Sequence, residues 1–168
     1  VQNSSNGSEI GEKMASEILS RILVPHDGSK YSNHAVNRAI EISRRELSQI
    51  YFISVVNVGY IQPPGSLLGM VSSSSVNAIK RLTDSAKKET SQMLASQVSK
   101  CRIKGIKADS KVVSGNITDE ILKFAKQKKI TLIVIGSQGL HGIKKIKALG
   151  STSRKVSEFA SCPVLIVR

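Results

Sequence analysis

The chain has 168 residues, 40% of them hydrophobic and 22% charged, enough for one globular domain with a core of its own. Its formal net charge is +13, which favours anionic partners such as nucleotides, nucleic acid or acidic proteins, and leaves a merely solvated basic surface as the plain alternative. No apolar run reaches the length of a membrane span, and the N-terminus lacks the apolar core of a signal peptide. Cys101 and Cys162 form no C-x-x-C pair, so neither a disulfide scaffold nor a cysteine zinc site is expected. Both thiols are expected to be buried, in a reducing, cytoplasmic setting.

Residues 1–20 read as an N-terminal extension. Val1 to Ser8 is rich in Ser, Asn and Gly, and Ile10, Met14, Ile18 and Leu19 recur at helical spacing. The domain then runs from 21 to 168. Arg21 to Pro25 is a first strand, and Lys30 to Leu47 is a helix with Ala35, Val36, Ala39, Ile40 and Leu47 as its stripe. Ile50 to Val56 is a second strand, followed by a long loop from Asn57 to about Ser75. A helix from about Val76 to Cys101 places Ile79, Leu82, Ala86, Met93, Leu94 and Cys101 on one face. Ile106 to Val113 alternates as a third, less buried strand. Asn116 or Thr118 caps a helix bearing Ile121, Leu122 and Ala125, and Thr131 to Ile135 is a fourth strand. Ser151 caps a last helix with Val156 and Ala160, which stops before Pro163, and Val164 to Val167 is a fifth strand. Strands separated by crossover helices imply an α/β domain: an open, Rossmann-like parallel sheet with helices on both faces.

In such sheets a ligand sits beyond the strand carboxyl ends, where the strand order reverses. Two segments fall there. Pro25-His26-Asp27-Gly28-Ser29 follows the first strand, and Gly136-Ser137-Gln138-Gly139 follows the fourth, with Gly150-Ser151-Thr152 opening the last helix. A glycine-rich turn ahead of a helix N-terminus lets bare N–H groups approach a phosphate. Arg154 and Lys155, in the first turn of that helix, oppose its macrodipole unless an anion is bound. Asp27 has two readings, an acceptor for ribose hydroxyls or a helix cap with Ser29. The glycines likewise serve either a phosphate cradle or a tight surface turn. Neither G-x-x-x-x-G-K-[ST] nor a G-x-G fingerprint occurs, no G-x-S-x-G elbow is present, and His26, His34 and His141 lack metal-ligand spacing. Aromatic residues make up only 4%, with no tryptophan, so nucleic acid is not expected to stack on the chain.

Ile22-Leu23-Val24-Pro25-His26-Asp27-Gly28-Ser29, Ile133-Val134-Ile135-Gly136-Ser137-Gln138-Gly139, Gly150-Ser151 and Cys162-Pro163-Val164-Leu165-Ile166-Val167, in this order, resemble the universal stress protein family over roughly Ser20 to Arg168. The resemblance implies a five-stranded parallel sheet of order 3-2-1-4-5 and a homodimer through the last strand. It further implies membership of the ATP-binding subgroup, marked by G-x2-G-x9-G-[ST]. By position, Asp27 would meet the ribose, with Pro25 and His26 lining the pocket, and Val55 would hold adenine through its backbone. Gly136 and Gly139 would approach ribose and phosphates, and Gly150, Ser151 and Thr152 would donate to the phosphates. Mg²⁺ would enter only with those phosphates. One departure stands out: ten residues, Leu140 to Leu149, separate Gly139 from Gly150, one more than the pattern has. The expectation is a nucleotide-responsive regulatory module of stress response rather than a fast enzyme. The alternatives are a slow ATP hydrolase and a non-nucleotide module that binds anionic partners through its basic surface.

Overall fold

The structure is a computed structural model, and it describes residues 19–57, 73–140 and 148–168. Five strands, β1 (Arg21–Pro25), β2 (Gln49–Val56), β3 (Ala108–Ser114), β4 (Leu132–Gly136) and β5 (Val164–Val167), form one sheet of order β3-β2-β1-β4-β5. Every neighbouring pair is parallel. Four helices connect them: α1 (Lys30–Glu46), α2 (Ser73–Ile103), α3 (Ile117–Gln127) and α4 (Ser151–Phe159).

Strand alternation divides the core into two layers. Ile22 and Val24 of β1, Ile50 and Phe52 of β2, and Val134 of β4 pack with Ala35, Val36, Leu94 and Val98 of α1 and α2. Leu23, Ile53, Ile133 and Ile135 point the other way, onto Ile121, Phe124 and Val156 of α3 and α4. The central strands are therefore apolar on both faces, as a doubly covered sheet requires. β3 lies at an edge and alternates between exposed and half-buried positions, which matches its interleaved lysine and aspartate.

Several local expectations are corrected. Leu47 is not part of the α1 stripe; it is the left-handed C-cap, with φ of 53° and 92% exposure, and its N–H closes on Ser43 O. Leu82 is 60% exposed, and full burial along α2 begins only at Leu94. The cause is length, because a helix of 31 residues spans about 46 Å while the eight residues of β2 span about 26 Å, so half of α2 has no sheet beneath it. Ile106 is buried but precedes β3, and Ser73 to Ser75 belong to α2 rather than to the loop before it. Cys101 is buried as expected, whereas Cys162 is only half-buried. The helical spacing at Ile10 to Ile18, most of the long loop after β2, His141 and the lysines at 144, 145 and 147 lie outside the described residues.

Candidate functional site

Strand order reverses between β1 and β4, because the chain builds outward from β1 to β3 on one side and then places β4 and β5 on the other. At this switch point three chain segments meet. The first leaves β1. Pro25 and His26 are buried, and the His26 N–H still bonds Ile53 O at 2.8 Å, so the strand ends there. Gly28 then turns the chain with φ of +84°, a conformation that favours glycine. Ser29 is the N-cap of α1, with its hydroxyl accepting from the Ser32 N–H at 3.1 Å. The cap therefore falls to Ser29, which leaves Asp27 for another task. Its Oδ1 accepts from the Ser29 N–H at 2.9 Å, and its Oδ2 accepts from the Leu140 N–H at 3.1 Å, across to the loop after β4.

The second segment leaves β4. Gly136 is needed by the packing, since a Cβ there would lie 2.6 Å from the Tyr31 carbonyl carbon and 2.9 Å from the Ser32 N, both in α1. A Cβ on Gly139 would lie 2.8 Å from Asp27 Oδ2, so this glycine lets the loop reach the carboxylate. Ser137 between them is buried, and its N–H bonds Val167 O at 2.7 Å.

The third segment is the start of α4. Ser151 does not cap this helix; Gly150 is its N-cap and Ser151 its exposed first residue. The reason is a tether: the Gly150 N–H bonds Ser137 O at 2.8 Å, and the Ser153 hydroxyl donates to the same oxygen at 3.0 Å. Gln138 Nε2 adds a bond to Ala148 O at 3.0 Å. With glycine at the N-cap, no side chain caps the helix, and its first turn contains no acidic residue. The opening amides of α4, from Ser151 and Thr152 onward, are thus the kind of donors that anions satisfy.

Val55 reaches the same crest through the backbone. Residues of a parallel strand send both N–H and C=O to one side, alternating along the chain. The Gln49 N–H bonds Ser20 O on the β1 side, whereas the Ile50 N–H bonds Lys107 O on the β3 side. Val55 shares the parity of Gln49 and Ile53, so its polar groups face β1, whose pairing stopped at Ile53. Sequence patterning alone gives no access to that parity.

Electrostatically the crest is selective. Burial opposes ionisation of Asp27, but hydrogen bonds from the Ser29 backbone, from the hydroxyls of Ser29 and Ser32, and from the Leu140 backbone outweigh it and hold the carboxyl below its usual range. Burial pushes His26 below its ordinary value, although Asn33 and Asp27 pull the other way. Its Nδ1 accepts from the Gly28 N–H at 3.3 Å, and its Nε2 lies 3.3 Å from Asn33 Oδ1. The neutral Nε2–H tautomer satisfies both contacts. Among the described residues no cluster of His, Cys, Asp and Glu could hold a metal ion.

The model of the universal stress protein family matches residues 19–168. The chain belongs to that family. A curated relative, the universal stress protein YxiE of Bacillus subtilis (strain 168), is 35% identical over 153 residues, covering 90% of this chain and all of the relative. Among solved structures, the hypothetical protein MJ0577 superposes with a TM-score of 0.77 at 22% identity, over 89% of this chain and 96% of that one. The universal stress protein from Archaeoglobus fulgidus in complex with dAMP superposes with a TM-score of 0.58 at 21% identity, over 90% and 99%. These two share the fold. Within this universal stress protein, Asp27, Gly139, Gly150 and Ser151 come together at one crest, while Gly136 sits beneath it against α1. Sequence reasoning passed over Asn33 and Ser153 and named Ser137 only as part of the glycine loop, yet the bonds of all three hold the loops in place. Ordinary polar residues at those positions carry no pattern to find them by. Among the described residues no helix is long and apolar enough to cross a membrane.

Proposed function

We propose that this chain binds ATP at the β1–β4 crest and acts as a nucleotide-responsive regulatory module in stress response. The observation that carries the reading is the uncapped start of α4, tied to Ser137 and standing beside an ionised Asp27. The donor set suits the group. Main-chain amides of Ser151 and Thr152 would hold phosphates, the Gly150 N–H being already donated to Ser137 O, while Asp27 would accept from ribose hydroxyls and the Val55 backbone would read the adenine edge. Pro25 and His26 form the buried floor. Gly139 keeps a side chain away from Asp27 at the crest, whereas Gly136 serves the packing of β4 on α1 beneath it. The dAMP complex of the A. fulgidus relative supports an adenine nucleotide as the ligand class. Mg²⁺ would be held by the bound phosphates, since the crest itself offers Asp27 as its carboxylate.

Both ring nitrogens of His26 are engaged in the loop, which argues for binding and signalling over rapid hydrolysis. The Leu140 N–H now occupies Asp27 Oδ2, so a ribose hydroxyl would compete with or join that contact. The edge strand β5, with Leu165 37% exposed, is the proposed homodimer seam. Light scattering that shows a monomer at micromolar concentration would remove this part of the proposal. Equilibrium titration with ATP tests the pocket. Asp27→Ala deletes a charge-assisted hydrogen bond worth about 2 kcal/mol, so affinity should fall roughly thirtyfold. Unchanged affinity in Asp27→Ala and in Gly139→Val would refute it.

A further inference from the structure

A second feature lies at the opposite end of the sheet. Two cavities of about 620 and 600 Å³ open there, and Arg44 and Lys104 belong to the walls of both. Ser20, Gln49 and Lys107, at or just before the starts of β1, β2 and β3, line the second cavity, which therefore sits at the amino ends of the strands, while the first lies beside it between α1 and the end of α2. Asp27 and Gly139 lie beyond the opposite, carboxyl ends of the strands.

The walls carry Arg44, Arg45, Lys100, Lys104 and Lys107 against the single carboxylate of Glu41. That carboxylate already accepts from Arg38 Nη1 at 2.8 Å. Lys100 Nζ donates to Asn37 Oδ1 at 2.7 Å, and among the described residues no ion pair involves Arg44, Arg45, Lys104 or Lys107. Part of this charge has a local role, since Arg44 and Arg45 occupy the last turn of α1 and Lys100 the last turn of α2, where cations offset the helix dipole. Lys104, which directly follows the last residue of α2, shares that role, but it does not extend to Lys107. Nor does it require cations from two helices and a connecting loop to line one groove, where they repel each other. The lining offers no aromatic ring on which a base could stack.

We infer that this groove binds a chain of linked phosphates without bases, of which inorganic polyphosphate is the chemical type, independently of the nucleotide crest. The walls supply several point charges and an arginine pair for phosphate oxygens, and two adjacent cavities that share Arg44 and Lys104 suit an extended anion rather than a single ion.

The test is titration of the full chain with inorganic polyphosphate, read by calorimetry. Saturable binding is expected, weakening roughly twentyfold between 50 and 200 mM salt if about three phosphates are neutralised. The double variant Arg44→Glu/Lys104→Glu should lose at least tenfold in affinity. Arg44→Gln/Lys104→Gln, which spares the fold from charge reversal, should lose a smaller but measurable share. Asp27→Ala should leave polyphosphate binding unchanged, and so should Lys126→Glu/Lys128→Glu on another surface. Equal losses from the Lys126/Lys128 pair, or full affinity in the groove variants, would overturn the assignment. So would single-stranded RNA of equal phosphate count binding as tightly as polyphosphate.

Discussion

The two ends of the sheet handle charge by different means. At the carboxyl ends of the strands, the main-chain amides of Ser29 and Leu140 hold one carboxylate, and a further hydrogen bond ties the start of α4 to the β4 loop. At the amino ends, five flexible cations line an open groove with little to hold them. The first arrangement depends on backbone placement to within fractions of an ångström, the second on net charge. Substitution of a glycine should therefore damage one end, and added salt the other.

The largest effect should come from Gly136→Val, because its Cβ would meet the backbone of α1 at 2.6 Å and neither element can yield cheaply. A loss of about 3 kcal/mol or more is expected in urea unfolding, with or without nucleotide. Gly139→Val sharpens the contrast within a single motif. Its Cβ would meet only the Asp27 carboxylate, at 2.8 Å, so stability should change by less than about 1 kcal/mol while ATP affinity falls at least tenfold by titration.

Acid should weaken the carboxyl end through His26 and then Asp27. The folded state keeps His26 neutral, whereas the unfolded chain takes up a proton near 6.5, so the stability it contributes is present above that pH and is lost as pH falls through and below it. Asp27 is depressed from 3.8, so its contribution is present above that value and lost as pH falls through the lower folded value. Unfolding curves between pH 7.5 and 4.5 should show the His26 limb, and His26→Gln should flatten it. Smaller still, Asn116→Ala removes the cap whose Oδ1 accepts from the N–H groups of Thr118 and Asp119, at a cost of about 1 kcal/mol. Leu47→Gly should stabilise by about 0.5 kcal/mol, since it relieves a left-handed φ at a side chain that buries almost nothing.

Much of the fold was legible because the strands announce themselves. Leu132 to Ile135 is apolar at every position, as a strand covered on both faces must be, and Asn116 sits where a helix needs an oxygen acceptor. The crest was legible in part. Asp27, Gly139 and Gly150 could be named from their places after strands, yet the division of labour among them was hidden. Ser29 takes the cap and frees Asp27, while the Gly150 tether to Ser137 displaces Ser151 from the cap position. The first turns on which of two cap-favouring side chains meets the Ser32 N–H, and the second on a hydrogen bond between two loops; local pattern encodes neither. The amino-end groove escaped notice for a related reason. Arg44, Lys104 and Lys107 are scattered along the chain and come together only where α1, α2 and the segment before β3 pack.

The central claim is that opening amides of α4 receive the phosphates of a nucleotide. Amide chemical shifts of ¹⁵N-labelled protein during ATP addition test it most directly. Saturable displacement of the Gly150, Ser151, Thr152 and Leu140 signals, abolished in Gly139→Val, is the predicted result. Saturation of the protein by ATP with those four signals unmoved would contradict the account.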